Sequence, residues 1–126
     1  MSSETLHEDR TALGAAVIDR HRATVSLMEE LEAVDWYDQR IAATADDELR
    51  AVLTHNRDEE KEHAAMVLEW LRRHDPALDA NLRKYLFTEA PLAALIAAEK
   101  AEPPAPVAPN GHLDVGDLRL RAANER

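Results

Sequence analysis

The stretch LRAVLTHNRDEEKEHAAMVLEWL, residues 49–71, decides the fold. At about 100° per residue, Leu49, Val52, Leu53, Asn56, Glu60, His63, Val67, Trp70 and Leu71 fall within about 100° of arc, so the stretch reads as a long amphipathic helix. Glu60 and His63 lie in the middle of that apolar stripe. A solvated face would place its charges opposite the apolar residues, and an unpaired carboxylate buried in the stripe is costly or must change its protonation. Three readings follow. Glu60 and His63 form a buried hydrogen-bonded pair, the stripe twists enough to expose both residues, or they are ligands whose charge a cation compensates.

Toward the N-terminus, apolar residues recur at helical spacing from Leu13 to Ile41, which predicts a long first helix. Thr5-Leu-His-Glu8 reads as its capping box, and Gly14 weakens the helix only slightly. The spacing lapses around Ala42 to Asp46, where Thr44-Ala-Asp-Asp47 supplies new capping groups. The two long helices therefore form a hairpin. After His74, the Asp75-Pro76 pair predicts a shorter helix through Phe87, and Thr88 and Pro91 start a small Ala-rich one. From Glu102 the composition turns to PPAPVAPNG, an extended spacer before the tail. This divides the chain into a helical domain at 1–98, a linker at 99–112 and a tail at 113–126.

The whole composition agrees with an all-α protein. Among 126 residues there are three Gly, six Pro and 4% aromatics, a balance that favours helix over sheet. A net charge of −10 disfavours a phosphate-binding surface, so no nucleic-acid or anionic-membrane partner is expected and cations are the expected ligands. With no Cys, histidine and carboxylates are the strong ligands available, which suits iron, manganese, zinc or calcium. The N-terminus lacks the apolar core of a signal peptide and no run is long enough to span a bilayer, so a cytoplasmic protein is expected.

A second carboxylate meets the first by symmetry about the turn. Glu30 lies beside Leu31 and Val34, about 60° from Leu27, at the margin of the first helix's apolar stripe. If the turn centres near residue 45, Glu30 and Glu60 each lie about 15 residues away, roughly 22 Å along their axes, and so at the same height. A Glu on one helix facing Glu-x-x-His on another is the repeating half of a di-iron site in four-helix carboxylate proteins. A full site needs two such halves, and two long helices cannot enclose a core. A two-fold dimer repairs both deficits by forming a four-helix bundle.

Ile18, Val25 and Trp36 share a side of the first helix opposite Leu27 and Leu31, with Glu29 and Glu32 flanking them. An element apolar on two sides predicts contacts beyond the dimer and a larger closed ring. Trp36 and Tyr37 read as core or interface residues and His55 as solvated. Glu29 and Glu32 are solvated carboxylates or, repeated by symmetry, an acidic entry point for hydrated divalent ions.

The segments MEELEAVDWYDQR at Met28 to Arg40, HNRDEEKEHAAMVLEWLRR at His55 to Arg73 and YLFTEAP at Tyr85 to Pro91 together resemble the encapsulated ferritins. That resemblance implies a ferroxidase with Glu30, Glu60 and His63 as catalytic and di-iron ligands. It also implies an entry or auxiliary metal site at Glu29 and Glu32, taking iron or calcium, with Trp36 and Tyr37 beside the iron centre. It further implies a decameric ring of two-helix subunits that oxidises Fe(II) with dioxygen inside an encapsulin shell, where the ferric mineral is stored. LDVGDLRLR at Leu113 to Arg121 resembles the C-terminal peptides that dock such cargo, with Asp117 where the family has Ser. Leu113, Val115, Leu118 and Leu120 are the side chains that would fill pockets on the shell. The alternatives are a non-enzymatic divalent-metal-binding bundle and a purely structural cargo protein.

Overall fold

A computed structural model describes residues 5–101; the linker from residue 102 and the tail lie outside the described residues. Those described form five helices and no strand: α1 (Arg10–Leu13), α2 (Ala15–Ala43), α3 (Asp47–His74), α4 (Pro76–Tyr85) and α5 (Leu92–Ala101). The all-α class is as expected. The chain divides into two units, one ending at His74 and one beginning at Asp75. No described helix is long and apolar enough to cross a membrane.

The first unit is the α2–α3 hairpin. Its turn is built by the residues the sequence singled out. Thr44 Oγ1 accepts a hydrogen bond from Asp46 N at 3.2 Å, and Asp46 Oδ1 accepts from Leu49 N at 2.8 Å, capping α3. Arg50 then reaches back from α3, donating to the carbonyls of Ile41 and Thr44 and satisfying end groups of α2. Asp47 and Glu48 in the first turn of α3, and Arg72, Arg73 and His74 in its last, complement the helix dipole.

Two boundaries depart from the sequence reading. Residues 5–8 are not helical, so Thr5 to Glu8 is no capping box, and Asp9 precedes α1 without a side-chain cap. Gly14 does more than weaken a helix, because its φ of +79° and ψ of 164° end α1 and start α2.

The packing seam also differs from the apolar stripes. Half-buried positions on α2 include Ala23, Ser26, Leu27, Glu30, Ala33, Val34, Tyr37 and Ile41, and on α3 they include Leu53, Arg57, Glu60 and Val67, with Ala64 and Leu71 buried. Ala23, Ser26, Glu30, Ala33 and Tyr37 on α2, and Leu53 to Leu71 on α3, follow the alternating three and four spacing of a coiled-coil seam. Leu31, at the heart of the expected α2 stripe, is 55% exposed, while Ile18 on the opposite side is buried. The α3 stripe splits: Leu53, Glu60, Val67 and Leu71 lie on the seam, whereas Leu49, Val52 and Trp70 remain exposed. One partner helix is too narrow to cover an arc of about 100°.

In the second unit Asp75 Oδ1 accepts from Leu78 N at 3.0 Å and Pro76 fills the first helical position, as the Asp-Pro pair predicted. The helix ends at Tyr85, two residues short of the expected Phe87. Leu86 is extended, Thr88 Oγ1 donates to the Tyr85 carbonyl at 2.8 Å, and Phe87 is fully exposed with φ +58°. Thr88 thus closes α4; α5 starts from Pro91, whose carbonyl accepts from Ala94 and Leu95. Glu99 ties the two helices together, accepting from the Tyr85 hydroxyl at 2.7 Å and pairing with Lys84 at 3.1 Å.

Candidate metal centre

Glu30 on α2 and Glu60 with His63 on α3 converge as the spacing about the turn predicted. One ligand atom from each lies within 4.8 Å of the other two, and this is the group of three or more candidate ligands found among the described residues. His63 Nδ1 is 3.3 Å from Glu60 Oε2, its neighbour one turn back, and 3.7 Å from Glu30 Oε2 across the hairpin.

Exposure grades across the cluster. The Glu60 and Glu30 side chains are 24% and 25% exposed, and His63 is 45% exposed. The carboxylates sit in the seam while the imidazole stands at its rim, so the ligand set is closed on the protein side and open on the other.

The electrostatics describe three groups that share too few protons. The hydrogen bond with Glu60, then partial burial, raises the Glu30 carboxyl above its ordinary value of 4.5. The same bond lowers Glu60. The two carboxylates thus pull in opposite directions, Glu30 toward its neutral form and Glu60 toward its charged form. The hydrogen bond to Glu60 also raises His63 above 6.5, with both carboxylates adding attraction. A divalent cation would compete with protons for these groups, and carboxylate with imidazole is a donor set that borderline and hard divalent metals accept. The residues present fit a metal.

The other singled-out residues lie apart from this cluster. Glu29 and Glu32 are exposed on α2 and do not converge with it. Tyr37 lies on the seam and Trp36 is 50% exposed, with the Arg40 guanidinium 6.0 Å from the Trp36 ring centre and 5.8 Å from that of Tyr37. His55 is solvated, as expected, and pairs with Glu59 at 3.0 Å.

The sequence reading missed Arg57 and Asp38. Arg57 lies one turn before Glu60 on the seam and donates to Asp38 Oδ1 on α2 at 2.9 Å and to Asp58 at 3.2 Å. A charged residue four after Leu53 and three before Glu60 was the available signal, since that is a seam position. It was masked because charge alone marks a solvated face.

A family model described as EncFtn-like matches residues 5–89. The chain is 52% identical to the encapsulated ferritin-like protein of Rhodospirillum rubrum over 133 residues, covering 99% of this chain and 95% of that one. It is 52% identical over 90 residues to a ferritin-like protein of Thermotoga maritima, covering 71% of this chain and 79% of the relative. The encapsulin nanocompartment cargo protein EncC of Myxococcus xanthus is 38% identical over 104 residues, covering 75% and 80%. A solved structure of a Nitrosomonas europaea protein superposes with a TM-score of 0.68 at 59% identity, covering 70% of this chain and 97% of that one.

Proposed function

Because the chain belongs to the EncFtn-like family, we propose that it is a ferroxidase, oxidising Fe(II) to Fe(III) with dioxygen at a di-iron site that two copies complete. The observation that carries this reading is the convergence of Glu30, Glu60 and His63 within 4.8 Å, open on one side. Three ligands serve one half-site, and a two-fold related copy supplies the other half in the Glu plus Glu-x-x-His pattern of di-iron bundles.

Iron is the substrate. Glu60, flanked by the other two ligands, would be the carboxylate shared between the ions, and Glu30 and His63 would be the terminal ligands. Each Fe(II) gives one electron and dioxygen accepts both. The hard carboxylates favour Fe(III) as it forms, and their exchangeable bonds let the product leave. Glu29 and Glu32 are the entry or auxiliary site, collecting hydrated iron or calcium on an acidic surface before transfer inward. The exposed Leu49, Val52 and Trp70 are the surface that the second copy covers, and further contacts along α2 close a decameric ring.

Relatives in this family are named as encapsulated or as encapsulin cargo. The partner proposed here is accordingly an encapsulin shell in the cytoplasm, engaged by the tail at 113–126 through the linker at 99–112, with the helical domain at 1–98 as the enzyme. The shell stores the mineral that the ring produces. Deleting residues 113–126 is expected to abolish co-purification with the shell and to leave iron oxidation unchanged.

Dioxygen consumption after Fe(II) addition tests the activity. The wild-type chain consumes dioxygen, and a Glu60→Ala variant that still assembles does not. A variant that retains turnover contradicts the assignment, and a wild-type chain that binds Fe(II) without consuming dioxygen is a metal buffer.

A further inference from the structure

The α2 side of the hairpin mixes half-buried Leu27, Val34, Tyr37 and Ile41 with small residues, and Ser26 and Ala33, which flank Glu30 one turn to either side, are among the small ones. Small side chains on either side of Glu30 offer shallow ridges and grooves, so apolar packing at the height of the ligands adds little to fixing the register of α3 along α2. Register nonetheless decides the metal centre. Carboxylate–metal bonds are about 2.0–2.2 Å long, and a slide of one residue, about 1.5 Å, would carry Glu30 out of reach of an ion held by Glu60 and His63.

Beside the turn Arg50 already bridges the helices through the carbonyls of Ile41 and Thr44, and nearer the ligands a further cross-helix contact has the directionality to hold register. Arg57 is 23% exposed, points back along α3 and donates to Asp38 Oδ1 at 2.9 Å, while its Nε is held by Asp58 at 3.2 Å. Its neighbour on the seam, one turn on, is Glu60. A charge-assisted bond from a planar guanidinium fixes distance and direction together, which apolar contact does not. The Asp38 side chain is 52% exposed, and ion pairs so placed typically contribute only 0–1 kcal/mol to stability. Polar pairs at seam positions are better attested as determinants of register than of stability.

We infer that the Arg57–Asp38 pair is a positioning clamp that sets the register of α3 against α2 and thereby brings Glu60 and His63 opposite Glu30. The inference rests on the metal-site reading above, and it adds two residues that do not touch the ion.

The test measures equilibrium Co(II) binding to the full chain by anaerobic titration, with thermal unfolding and light scattering on the same samples. Arg57→Met keeps the apolar stem and removes the charge; Asp38→Asn removes the partner's charge at a largely exposed site. Each is expected to weaken Co(II) binding roughly tenfold or more, the usual cost of losing a group that orients a ligand, with little change in unfolding temperature. The exchanged pair, Asp38→Arg with Arg57→Asp, is expected to recover most of the affinity. Wild-type affinity in either single variant overturns the clamp, as does an exchanged pair that recovers nothing. Glu60→Ala separates the two claims. If it abolishes Co(II) binding while Arg57→Met does not, the metal site stands and the clamp falls. If it binds as wild type, the metal-site reading fails and the clamp fails with it.

Discussion

His63 Nδ1 stands 3.7 Å from Glu30 Oε2, an approach between two helices that meet only because the turn at Thr44 to Asp46 lies midway between Glu30 and Glu60. The imidazole faces a carboxylate from each helix, and this defines how the site answers to pH, metal and assembly.

The first consequence concerns protons. Glu30 and His63 hold theirs to higher pH than usual, mainly through hydrogen bonding to Glu60. A cation must displace them, so metal affinity falls as pH falls, and binding releases protons. Between pH 8 and pH 6 the Co(II) affinity should drop roughly tenfold or more, and calorimetric heats should vary with the ionisation enthalpy of the buffer. A flat profile would show that these groups are not the ligands. Stability of the metal-free protein follows the opposite sign for His63. Its contribution is complete below 6.5 and is lost as pH rises through its raised folded value, whereas that of Glu60 is present above 4.5 and lost as pH falls through its lowered one.

The exposed stripe on α3 makes a prediction about assembly. Val52 is 53% exposed and Leu49 47%, so a charge there costs the isolated hairpin little but opposes burial against a second copy. Val52→Lys should leave helicity unchanged while weakening self-association at least about tenfold in sedimentation analysis, the order of effect for an uncompensated charge at an interface. Unchanged assembly would place the interface elsewhere.

The turn supplies a stability prediction independent of metal. Asp46 caps α3 through Leu49 N at 2.8 Å, so Asp46→Ala should destabilise the protein by about 1 kcal/mol in chemical denaturation, and Asp46→Asn by much less. Equal effects of the two would mean that the cap is not the stabilising feature.

Much of this was legible in the residues, for physical reasons. Thr44, Asp46, Asp75 and Pro76 act through their own backbone neighbours, so local chemistry announces the helix ends they make. The meeting of Glu30 with Glu60 and His63 follows from equal rise on either side of a turn, which needs no knowledge of packing. The positive φ at Gly14 was not legible, because a glycine tolerates a helix and breaks one with equal ease. The α2 face that meets α3 was hidden in part. Leu27, Val34 and Ile41 carry part of its signal, but Ala23, Ser26, Glu30 and Ala33 carry none, while the louder Leu31 is exposed in the single chain. Arg57 was overlooked for the same reason, since its role depends on Asp38, which only the folded hairpin brings near.

One measurement reaches the centre of the account: subunit count by light scattering, with and without Fe(II), combined with an iron-oxidation assay on the same sample. Oxidation is expected with dimers or larger rings and should vanish in fractions reduced to monomer, because each chain holds half of the ligands. A monomer that oxidises iron as fast as the assembly would contradict it.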